Sequence, residues 1–160
     1  MKKIIVLQFA FLFAGSFSFS QTIQKVKITD VLHIADTSTS PLIINFWATW
    51  CRPCVQELPW FEKKVPNYKD KGVKLLLVSL DYEDDYPKGI ADFIKKNGYT
   101  SKVAWLNETD PNYFCLMVDK SWQGTIPATL MVNNAKHYRQ FYPQQLPEGQ
   151  LKMALDKLVE

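Results

Sequence analysis

The stretch Leu42-Ile43-Ile44-Asn45-Phe46-Trp47-Ala48-Thr49-Trp50-Cys51-Arg52-Pro53-Cys54 joins an apolar run to two cysteines set two residues apart. Bounded by Pro41 and rich in β-branched residues, Leu42–Phe46 reads as a buried strand. Val55, Leu58, Phe61 and Val65 follow at helical spacing, so the cysteine pair falls where a strand turns into a helix. Cys51 then lies near the first helical turn, where unpaired N–H groups and the helix dipole favour an anion and should lower its thiol pKa. Cys54, one turn further in, is within reach of the Cys51 sulfur and should be the more buried of the two. One sulfur placed to attack and one to resolve imply thiol–disulfide exchange.

Other uses of the pair are weaker. A Cys51–Cys54 bond closes so short a loop that it adds little chain-entropy stabilisation. Three cysteines are also an odd number for a disulfide-stapled scaffold. A zinc site needs four ligands, and only Cys115, His33 and His137 remain, none at ligand spacing. No metal or other cofactor is expected.

At 160 residues, 47% apolar and 14% aromatic, the chain has material for one domain with a sizeable core. Its net charge is +3, of which Lys2 and Lys3 supply two, and no basic run exceeds two residues. That balance argues against nucleic acid as a partner. Residues 1–20 have the pattern of a secretory signal peptide: Lys2 and Lys3, the apolar run Ile4–Ala14, then Ser18-Phe19-Ser20 as a small-x-small cleavage site. The mature domain would be residues 21–160, exported to the periplasm or another extracytoplasmic envelope compartment, where disulfides persist. An uncleaved membrane anchor is the alternative, although the run is short for a bilayer span.

Along the chain, Ile23–Ile28 reads as a short edge strand, and Thr29 or Asp30 as the cap of a helix carrying Val31, Leu32 and Ile34. A helix over 53–69 contains Pro59, which should kink it. Val73–Leu80 is a second buried strand, implying strand–helix–strand with parallel pairing. The acidic run Asp81–Asp85 reads as a solvated loop. Ile90, Phe93, Ile94 and Tyr99 mark a helix closed by Asn97-Gly98. Lys102–Leu106 forms a short strand, and Pro111 opens a helix through Val118. Thr129–Val132 and His137–Tyr142 form a hairpin about Asn133-Asn134, and Pro147-Glu148 starts a terminal helix. The expectation is an α/β fold in three layers, α/β/α, around a mixed sheet.

The segment Phe46–Cys54, Pro59 five residues after the second cysteine, and Thr125-Ile126-Pro127-Ala128-Thr129 together resemble the thioredoxin superfamily, and within it the TlpA/ResA type of envelope thiol–disulfide oxidoreductase. The resemblance covers roughly residues 23–159, with an N-terminal extension before the core and an insertion at 81–124 between the βαβ and ββα halves. It implies that Cys51 attacks, Cys54 resolves, and the two form a redox-active disulfide. It also implies that Pro127 is cis and lies against the pair, so that Ile126 offers its backbone to an extended substrate. Trp50, Arg52 and Pro53 would complete the substrate-facing surface, with Trp47 beside Trp50 on an apolar rim.

Ordinary thioredoxins carry a buried Asp where this chain has Asn45, which cannot take a proton. The TlpA/ResA type places a Glu three residues after the second cysteine, and Glu57 matches it. Residues i and i+3 share a helix face, so Glu57 either points toward Cys54 as a catalytic acid–base group or is a solvated helix residue. Arg52 should favour the Cys51 thiolate and make the protein somewhat more oxidising, subject to screening.

The resemblance implies a protein disulfide reductase acting as a monomer on thiols and disulfides of envelope proteins, cytochrome c maturation among its roles, recharged by a membrane thiol-electron donor. A disulfide oxidase or isomerase, and a non-catalytic thioredoxin-fold binding module, are the alternatives. A peroxidase would need a Thr three residues before its cysteine and a Pro further upstream. Thr49 lies two before Cys51 and no Pro lies between Pro41 and Cys51, so that reading is set aside. Trp122 belongs to the groove or the core, Trp60 to the core, and Cys115 reads as a buried inert thiol.

Overall fold

The structure, a computed structural model, describes residues 22–160. The expected leader, residues 1–20, lies outside them. The chain runs β1 (Gln24–Val26), α1 (Ile28–Thr37), β2 (Leu42–Trp47), α2 (Arg52–Lys64), β3 (Lys74–Ser79), α3 (Lys88–Asn97), β4 (Lys102–Leu106), α4 (Pro111–Val118), β5 (Ala128–Asn133), β6 (Tyr138–Tyr142) and α5 (Glu148–Val159), with 3₁₀ turns at Val65–Lys71, Glu83–Asp85 and Asn134–Lys136. The sheet order is β1-β4-β3-β2-β5-β6. The first four of these pair in parallel, while β5 is antiparallel to both β2 and β6.

Strand β2 is the centre of the molecule, buried at every position. Alternation sends Leu42, Ile44 and Phe46 into a core shared with α1 and α4, and Ile43 and Trp47 into one shared with α2, α3 and α5. Asn45 belongs by the same alternation to the α2 face. Helices cover both faces of a mixed sheet, giving the three-layer α/β/α arrangement expected from the sequence. The insertion contributes α3, α4 and β4, and β4 gives the edge strand β1 its partner.

Several local expectations are corrected. Helix α1 is capped at Lys27, whose N–H donates to Asp30 Oδ2 at 2.8 Å, so Asp30 closes the first turn from within it. Helix α2 passes through Pro59 and ends at Lys64; a 3₁₀ stretch takes over because Pro66 has no N–H for the next α-helical bond. Gly72, at φ 73°, then reverses the chain into β3. In the β5–β6 connection the positive φ falls on His137 rather than on the asparagines. Trp122 is core: it packs against Phe46 with ring centroids 4.7 Å apart and donates its indole N–H to Thr125 O at 2.7 Å.

Candidate active site

Cys51 is the N-cap of α2, and Cys54 lies in its first turn. The sequence places Pro53 inside that turn, where a missing N–H costs no helical bond. The two sulfurs form a disulfide. Cys51 is 5% exposed and Cys54 fully buried, so of the pair only the edge of Cys51 can be approached by a partner. Cys54 N donates to Cys51 Sγ at 3.3 Å. On reduction the same N–H, at the positive end of α2, faces a Cys51 thiolate, which stabilises the anion.

Pro127 arrives from the start of β5. Its peptide bond with Ile126 is cis, and the Ile126 carbonyl oxygen lies 3.6 Å from Cys51 Sγ. Two regions far apart in sequence therefore meet at the Cys51 sulfur. A cleft of about 410 Å³ opens alongside, walled by Trp50, Tyr82, Trp105, Phe114 and Ile126 among others. Trp50 and Tyr82 are both exposed and stack with centroids 5.8 Å apart. Trp47 is a correction: it is completely buried and packs on Phe93 below the site instead of forming its rim. Arg52 and Pro53 are exposed on the helix start, and Gln145 Nε2 donates to Pro53 O at 2.8 Å.

Glu57 is fully buried, which removes the solvated-surface alternative. Its Oε1 accepts from Asn45 Nδ2 at 2.8 Å, and its Oε2 accepts from Leu146 N at 2.9 Å. Burial pushes the carboxyl up from its ordinary 4.5 to about 7, and the two hydrogen bonds offset only part of that. A carboxyl of this kind exchanges protons near neutrality. Asn45 Nδ2 also donates to Thr129 Oγ1 at 3.0 Å, which ties β2, α2, β5 and the lead-in to α5 together behind the cysteines.

Asp81 supports the cysteine turn from the other side. It is buried, not solvated: its Oδ1 accepts from Thr49 N at 2.9 Å and from the Thr49 hydroxyl, and its Oδ2 accepts from Ser79 Oγ at 2.6 Å. Sequence reasoning missed this brace, together with Leu146 and Gln145; the one available signal was Asn45, a polar residue in an otherwise apolar strand. Among the described residues no group of three or more His, Cys, Asp or Glu is placed to hold a metal ion. Among them, too, no helix is long and apolar enough to cross a membrane. Cys115 is buried, and burial raises its thiol to about 11, as suits an inert thiol.

Known proteins resemble this chain. A family model described as the AhpC/TSA family matches residues 14–140. A thiol-disulfide oxidoreductase ResA from Oceanobacillus iheyensis is 38% identical over 109 residues, covering 63% of this chain and 56% of that protein. The ResA of Geobacillus kaustophilus is 23% identical over 133 residues, covering 78% and 67%. The match covers 40% to 67% of the length of the curated relatives. Among solved structures, a thioredoxin-related protein from Neisseria meningitidis serogroup B superposes with a TM-score of 0.63 at 25% identity, covering 76% of this chain and 86% of that one. StoA from Bacillus subtilis gives a TM-score of 0.55 at 25% identity, covering 73% and 83%. With the match extending over most of the chain and including the cysteine turn, the chain belongs to the AhpC/TSA family and has the thioredoxin-like fold.

Proposed function

We propose that this protein is an exported thiol–disulfide oxidoreductase that works as a protein disulfide reductase in the cell envelope. The single observation carrying the reading is the Cys51–Cys54 disulfide at the start of α2, with Cys51 Sγ against the Ile126 carbonyl at the cleft. In the working direction the Cys51 thiolate attacks a substrate disulfide and releases one substrate thiolate. The Cys54 thiol gives its proton to Glu57, and the resulting thiolate attacks Cys51 Sγ. The substrate leaves with both sulfurs reduced, and the protein keeps the disulfide. Two electrons move from protein to substrate, and a membrane thiol donor returns them.

Trp50, Arg52, Pro53, Ile126 and Pro127 form the surface on which an extended substrate segment would lie. Export is supported by the pattern of residues 1–20, and substrate class by the ResA name of the relatives.

The test is turnover of a model protein disulfide with dithiothreitol as electron source. Wild-type protein should accelerate reduction, Cys51→Ser should abolish it, and Cys54→Ser should accumulate a mixed disulfide through Cys51. No acceleration and no trapped adduct would overturn the reading. Equilibration against glutathione sets the direction: a potential well above the glutathione couple would mark an oxidase instead.

A further inference from the structure

Asn45 Nδ2 donates to both Glu57 Oε1 and Thr129 Oγ1, while Asn45 Oδ1 is buried without a hydrogen-bond partner. That arrangement suits an ionised Glu57 and fails for a protonated one. Leu146 N–H holds Oε2 as an acceptor, which favours the acid proton on Oε1, where it would meet the Asn45 N–H donor to donor. We propose that Asn45 is a positioning residue whose carboxamide turns over with the protonation of Glu57, Nδ2 facing the carboxylate and Oδ1 facing the carboxylic acid.

The turn needs only a rotation about one broad torsion between two orientations of the same shape. After it, Oδ1 accepts from the Glu57 O–H, and the Thr129 hydroxyl changes from acceptor to donor toward the same oxygen. One amide atom lacks a partner in each state: Oδ1 with the carboxylate, Nδ2 with the acid. Neither orientation is therefore locked, and Glu57 stays hydrogen-bonded as its proton comes and goes.

The titratable groups near Glu57 are few. On its own helix it shares the first two turns with Cys51, the exposed Arg52 and Cys54. From β2, β5 and the lead-in to α5 come Asn45, Thr129 and Leu146, none of which titrates. The buried residues of α5 are Leu151, Ala154, Leu155 and Leu158. On β6 the Tyr138 and Tyr142 hydroxyls face each other at 3.5 Å, and burial raises Tyr138 further above its ordinary range. Burial and the two hydrogen bonds account for the Glu57 shift, with no charged neighbour contributing.

The inference rests on the proton exchange between Cys54 and Glu57 proposed above, but its test is independent of turnover. In isotopically labelled oxidised protein, the Asn45 side-chain NH₂ signals and the Glu57 carboxyl carbon should be followed across the neutral range. Both should move with one shared midpoint near 7. Glu57→Gln, whose amide mimics the acid, should hold the Asn45 signals at their low-pH positions throughout. Asn45 signals that stay fixed while Glu57 titrates, a Glu57 carbon that does not titrate in this range, or a Glu57→Gln protein with Asn45 at its high-pH positions would each overturn the proposal. Loss of disulfide reduction with the shared midpoint intact would instead count against the functional reading alone.

Discussion

Glu57 Oε2 accepts the backbone N–H of Leu146 at 2.9 Å across 89 residues of chain, fixing the approach to α5 against the helix that carries the cysteines. The bond is made inside the core, where burial makes stability depend on the ionisation of Glu57 and the bond itself offsets only part of that effect. In the folded protein the carboxyl titrates near 7, against 4.5 when free. Between those values the native state holds a proton that the unfolded chain has released, so stability falls as pH rises through that window and levels off above it. The expected loss is about 3 kcal/mol. Urea unfolding of oxidised protein at several pH values measures it, and Glu57→Gln should flatten the dependence.

The same substitution separates stability from chemistry. Glutamine keeps the shape of the side chain and can still accept from Leu146 N–H, but it cannot take a proton from Cys54. On the proposed mechanism the resolving step should slow by about 10²-fold or more, within the usual range for general acid–base catalysis. Stopped-flow release of substrate from the mixed disulfide reads that step directly. A first attack by Cys51 that is little changed is part of the same expectation.

Cys115 should be silent. Burial raises its thiol to about 11, so at neutral pH almost none is thiolate. In reduced native protein a thiol reagent should modify Cys51 quickly and Cys115 only after unfolding. Cys115→Ala should leave disulfide exchange unaltered.

Arg52 opens α2 beside Cys51 and is exposed. Its charge favours the thiolate and hence the reduced protein, although solvent screens it. Arg52→Gly should lower the reduction potential by less than about 30 mV, the equivalent of one pKa unit in a two-electron couple. The difference should shrink in high salt. Equilibration with glutathione redox buffers at two ionic strengths checks both statements.

The cysteine turn was legible because its chemistry is local: strand, two cysteines and helix are contiguous in sequence. Cis Pro127 and buried Glu57 came through resemblance, since no local pattern shows that residues so far apart meet. The polar bracing was not legible. Asn45 shows only that something polar lies behind β2, and nothing near Leu146 advertises its N–H. Asp81 begins an acidic run whose later members are surface residues, so the pattern of the run conceals the one carboxylate turned inward. Trp47 and Trp50 are likewise indistinguishable by composition. The pleat of β2 buries the first, while the turn beyond the strand exposes the second.

The Asp81 brace carries its own prediction. Thr49 N–H and hydroxyl and Ser79 hydroxyl all donate to this one buried carboxylate. Asp81→Ala leaves those donors facing a void, and each buried donor left without a partner costs about 1–3 kcal/mol. The substitution should therefore destabilise the fold by about 3 kcal/mol or more in urea unfolding. Asp81→Asn retains one acceptor oxygen for Thr49 and should cost less. Because Thr49 lies two residues before Cys51, loosening it should also widen the geometry of the cysteine turn. Folded Asp81→Asn protein should consequently show faster amide exchange at Trp50 and Cys51 than wild type, whereas exchange on α5, which the brace does not touch, should remain as it was.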